Sequence, residues 1–135
     1  MDGKKLLHHL AYLIFFILVV DFLAHKFHWY FSIWYLDMIM HFLGGFWLGL
    51  VCVWFLGSKE TFKLSIKMAS KILLFVLLIA VGWEVFQMLV NDFFAQRSFN
   101  FIDTISDILF GLLGGLCAIL YILVPLKKER TGIKD

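Results

Sequence analysis

The sequence predicts an all-α fold, an integral membrane four-helix antiparallel bundle, and three observations predict it. Of its 135 residues, 62% are hydrophobic and 16% are charged, which leaves too little polar surface to keep a soluble domain of this size dispersed. The apolar residues gather into four runs of roughly 20 residues, the length at which a helix crosses the hydrocarbon core with its amides satisfied internally. The basic residues gather in alternate connections between those runs.

The first span is expected over residues 6–24, the second over 33–56, the third over 72–90 and the fourth over 102–124, where Pro125 closes the last apolar stretch. Together they make one transmembrane domain covering residues 1–135. The connections are short, so consecutive helices should run antiparallel. The first span has the basic start of a signal peptide, but Phe22 stands where a small residue is wanted before a cut after Ala24, and Asp21 interrupts the run. It is therefore read as a retained helix. The following stretch carries Trp29, Tyr30, Trp34 and Tyr35, side chains suited to the headgroup boundary.

Orientation follows from lysine and arginine. Lys4 and Lys5 precede the first span, Lys59, Lys63, Lys67 and Lys71 lie between the second and third, and Lys127, Lys128, Arg130 and Lys134 follow the fourth. The other two connections hold only Lys26 and Arg97. This alternation places the N and C termini in the cytoplasm. The four central lysines recur every fourth residue, which also suits a basic interfacial helix; an ordinary positive-inside loop is the simpler reading. Cys52 and Cys117 fall within spans and read as packing residues, with no disulfide expected. A formal net charge of +2 gives no footprint for nucleic acid.

Once topology is set, the remaining polar residues fall at one depth. Asp37 and His41 open the second span, Glu84, Gln87 and Asn91 close the third, and Asp103 and Asp107 open the fourth, just after Arg97. Asp21, near the outer end of the first span, either joins the cluster or sits in the headgroups, the second being the simpler reading, and His8, His9, His25 and His28 are read as boundary residues. Asp37 and His41 are four apart, as are Asp103 and Asp107, while Glu84, Gln87 and Asn91 follow i, i+3, i+7; each set shares one helix face. Charges facing lipid cost about 2.5–3.5 kcal/mol each. The three stripes should therefore turn inward, toward one another. Gly45 and Gly49, and likewise Gly111 and Gly115, have the small-residue spacing that lets helices approach closely. Tight packing of the second and fourth spans would bring the two Asp-containing pairs together.

Such a cluster cannot stay fully ionised in low dielectric: protons are retained or a cation binds. Asp37, His41, Glu84, Asp103 and Asp107 form an oxygen-rich, one-nitrogen set that suits divalent magnesium, manganese or zinc. Arg97 suits pairing with a carboxylate or clamping a phosphate. A polar network that only locks the helices together uses the same residues.

The segments DMIMHFLGGFWLG (37–49), GWEVFQ (82–87) and RSFNFIDTISDILFGLLGG (97–115) resemble the VanZ-like family of small bacterial membrane proteins, or a closely related group of small membrane proteins that shares the D…H…E…D…D layout. The matching positions are Asp37, His41, Glu84, Gln87, Arg97, Asp103 and Asp107. The chain departs from the pattern at Met38, where a lysine often follows the first Asp, and in the loop before Arg97. The resemblance implies action at the cell envelope, since the family's namesake is associated with resistance to the glycopeptide teicoplanin.

Two classes of function remain open. One is a binding protein whose outward-facing pocket engages an envelope lipid, a lipid-linked precursor or a glycopeptide, with or without a metal. The other is a metal-dependent enzyme acting on a lipid phosphate, with Arg97 stabilising developing charge. Ion translocation needs polar groups along the whole path, and the inner halves of these spans are apolar.

Overall fold

A computed structural model describes residues 3–57, 65–90 and 100–131. It contains α1 (Gly3–Lys26), α2 (Trp29–Ser32), α3 (Leu36–Gly57), α4 (Ile66–Val90) and α5 (Phe101–Thr131), with no strand among the described residues. Four of these helices, all but α2, are long and apolar enough to cross a membrane.

The four expected spans are present, with shifted ends. Helices α1 and α4 begin before their apolar runs, because polar residues such as Lys4, Lys5, Lys67 and Lys71 are good helix formers and stay exposed there. Helix α5 continues past Pro125 to Thr131. The second span does not begin at residue 33. His28 adopts a left-handed conformation (φ 56°), α2 follows for one turn, and Ile33 is extended. The chain is thereby turned back before α3 starts at Leu36. Of the central loop, Lys67 and Lys71 belong to α4, whereas Lys59 and Lys63 lie outside the described residues.

Contacts set the directions of the helices. Gly45 of α3 lies against Gly111 of α5, and Gly49 against Gly115 and Ala118, so α3 and α5 run parallel. Ala80 and Val76 of α4 face Gly111 and Gly115 in reverse order, so α4 is antiparallel to α5. Trp47 Nε1 donates a 2.9 Å hydrogen bond to the Leu10 carbonyl, tying α3 to the early part of α1. Helix α1 rests on α3, and among the described residues its backbone does not come close to α4 or α5. The centre of the fold is thus α3, α4 and α5, with α1 at the side.

The α3–α5 contact is the tightest. A methyl group at Gly45 would collide with the Gly111 backbone, and one at Gly114 with the Phe42 carbonyl. Absence of a side chain at these two positions is what lets the backbones meet. The apolar core, including Leu10, Val53, Val76 and Ala118, fills the end of the bundle where α3 and α5 finish. The polar residues occupy the other end. Cys52 and Cys117 are free and half-buried.

Candidate functional site

The site is built by register. His41 and Asp107 each precede their contact glycine, Gly45 and Gly111, by four residues, and Glu84 follows Ala80 by four on the antiparallel helix. Gly45, Gly111 and Ala80 share one level, so one helical turn further on His41, Asp107 and Glu84 share the next. Asp37 stands a turn beyond His41 on the same face of α3.

Local signals fix these starts. Asn100 caps α5: its Oδ1 accepts the N–H groups of Ile102 at 3.2 Å and Asp103 at 3.4 Å. Asp37 and Asp103 each sit in the first turn of their helix, where a negative charge interacts favourably with the helix dipole.

His41 Nε2 is the hub. It lies 3.5 Å from Glu84 Oε1, 3.6 Å from Asp37 Oδ1 and 4.0 Å from Asp107 Oδ2. The side chains of His41, Glu84 and Asp107 are 9%, 6% and 3% exposed, against 37% for Asp37. The cluster therefore has a buried floor, with Asp37 leading to its surface. Glu84 Oε1 and Asp107 Oδ1 are buried with no hydrogen-bond partner among the described residues. Thr104, on α5, is within hydrogen-bonding reach of the Glu84 carboxylate. Asp37, His41 and Asp107 each offer one donor atom within 4.8 Å of the others, a set able to hold a metal ion.

The other expected residues fall around this centre. Asp103 is exposed at the rim, close enough for its charge to act on Asp37, Glu84 and Asp107. Gln87 is half-buried one turn beyond Glu84, and no hydrogen bond among the described residues joins it to the cluster. Arg97 and Asn91 lie outside the described residues.

Two residues were not legible as site residues. Thr104 had no signal beyond sharing a helical turn with Asp107. Tyr30 reads from sequence as a boundary aromatic, yet its hydroxyl donates a 2.6 Å hydrogen bond to Asp21 Oδ1. Asp21 is also approached by His25, whose Nδ1 lies 3.5 Å from the same oxygen. Asp21 is near enough for its charge to act on Asp37. The reversal at His28 makes this possible by folding α2 back toward α1.

Burial, then the bond to Asp21 and its negative charge, hold the Tyr30 hydroxyl well above its usual pKa of 10.0. A group whose pKa is raised on folding stabilises the fold fully below its unfolded pKa. That stabilisation is lost as pH rises from about 10 toward the folded value. Thermal unfolding in detergent should therefore show wild type losing stability above pH 10, with a shallower loss in Tyr30→Phe. Equal slopes would contradict the Tyr30–Asp21 bond.

Residues 4–128 match a family described as "Predicted membrane protein (DUF2238)". No curated protein and no solved structure matches the chain.

Proposed function

The chain belongs to the DUF2238 family of predicted membrane proteins, and from that premise we propose that its acidic cluster is a ligand pocket at the outer side of the cell membrane. In this reading the N and C termini are cytoplasmic, and the pocket binds the polar headgroup of an envelope lipid or lipid-linked precursor. What carries it is one observation: carboxylates from three helices surround one imidazole nitrogen, and two of their buried oxygens lack a hydrogen-bond partner among the described residues. An unpartnered buried acceptor costs about 1–3 kcal/mol. Ionisable groups at membrane depth mark function more often than not.

Among the described residues the pocket is rich in acceptors and poor in donors, so a ligand that brings donors suits it. The hydroxyl, amide and amine groups of a glycosylated or peptidyl headgroup meet that need. The VanZ-like resemblance, with its association with glycopeptide resistance, supports an envelope ligand of this kind. A metal-dependent enzyme acting on a lipid phosphate is the other reading; the metal donor set at Asp37, His41 and Asp107 favours keeping it.

Binding of a glycosylated polyprenyl diphosphate to the purified protein in nanodiscs tests the proposal, with bare polyprenyl diphosphate and teicoplanin as comparison ligands. Wild type should bind the glycosylated lipid at least tenfold more tightly than Glu84→Gln does. Equal retention by both proteins would reduce the cluster to a lock between helices, and release of phosphate would favour the enzyme. Sidedness is checked in intact cells: Asp103→Cys should react with a membrane-impermeant thiol reagent, and Lys67→Cys should not.

A further inference from the structure

We infer that this pocket holds a divalent-cation centre whose donors are His41 and Asp107 of its floor and Asp37 at its edge, with Glu84 as the adjoining fourth. The inference rests on the proposed ligand pocket and names what the ligand meets there.

The distances around His41 are the first argument. A neutral or protonated imidazole carries at most one hydrogen on Nε2, which serves one acceptor at 2.7–3.2 Å. Here three carboxylates stand at 3.5, 3.6 and 4.0 Å, none of them at hydrogen-bond distance. That is not a histidine paired with one acid. It is the spacing of donors arranged around a shared centre. Three atoms within 4.8 Å of one another can all lie about 2.5–2.8 Å from one point, slightly wider than the bonds of a hard divalent cation. A contraction of a few tenths of an ångström closes the set.

The unpartnered oxygens are the second, independent argument. Asp107 is 2% exposed and Glu84 5%, and Asp107 Oδ1 and Glu84 Oε1 find no donor among the described residues. A bound cation and the water it holds supply what they lack. Charge gives the third. The floor and its edge hold three acids against one imidazole, and Asp21 and Asp103 add acids at the rim within reach of Asp37. The mouth attracts cations and repels a bare phosphate. With a dication seated, a phosphate-bearing headgroup becomes an acceptable ligand, bridged to the carboxylates by the metal.

Ligand type selects the ion. Carboxylates suit magnesium, calcium and manganese, while an imidazole nitrogen favours transition metals. A mixed set of this composition fits a manganese-type dication.

The experiment uses Mn2+ as the probe on full-length protein in detergent, freed of metal by dialysis in a non-chelating buffer. Electron paramagnetic resonance titration should show one Mn2+ per chain, and thermal unfolding should shift upward with Mn2+ and return on adding EDTA. His41→Gln and Asp107→Asn should each weaken Mn2+ binding at least about 100-fold. Asp103→Asn, at the rim, should weaken it far less. If a variant fails to fold, the Mn2+-dependent unfolding shift of wild type still decides. No stoichiometric Mn2+ in wild type, or binding unchanged in both floor variants, overturns the metal centre. If the glycosylated lipid is still bound when Mn2+ is not, only the metal is wrong. If Mn2+ binds and the lipid does not, the metal centre stands and the lipid reading fails.

Discussion

Gly45→Ala is expected to destabilise the protein by about 1–3 kcal/mol or more, while the neighbouring Gly44→Ala leaves it unchanged or slightly more stable. The added methyl at position 45 meets the Gly111 backbone, which cannot move aside as a side chain can. Overpacking at such a point forces the two helices apart. At Gly44 nothing lies within 4 Å of the added group, so only the gain in helix propensity remains, at most about 1 kcal/mol. Thermal unfolding of the two variants in the same detergent checks this. The consequence reaches the site, because His41 and Asp107 are level only while Gly45 and Gly111 touch. Gly45→Ala should therefore also weaken ligand binding without altering any polar residue.

His41→Ala is the second large effect. It removes the group toward which all three acids converge and leaves Glu84 and Asp107 buried without the imidazole beside them. Removing one partner from a buried ionic group typically costs about 3–5 kcal/mol. Asp37→Ala should cost well under half of that, since its side chain is 37% exposed and water replaces what is lost. Similar losses for both variants, measured by thermal unfolding, would contradict the division into a buried floor and an exposed edge.

Much of this arrangement was legible in the sequence, and for physical reasons. Span length and apolar content marked the four membrane helices, and helical spacing put Asp37 with His41 and Asp103 with Asp107 on common faces. The glycine pairs foretold the α3–α5 contact, and that contact sets the level of the site. Three things were hidden. The break at Ile33 depends on the left-handed turn at His28, a conformation that no pattern in the aromatic stretch announces. Tyr30 meets Asp21 only because of that turn. The unequal roles of the two acids on α5 were also hidden: spacing makes Asp103 and Asp107 equivalent, whereas their depth along the helix leaves one exposed and the other 2% accessible.

The claim beneath all of this is that His41 of α3 and Glu84 of α4 act on each other inside the bundle. A double-mutant cycle on unfolding stability with His41→Ala and Glu84→Gln measures that directly. Neutralising Glu84 should recover part of what the loss of His41 costs, giving a coupling of about 1 kcal/mol or more. Strict additivity, within about 0.5 kcal/mol, would mean that the two side chains do not meet and that no common pocket exists.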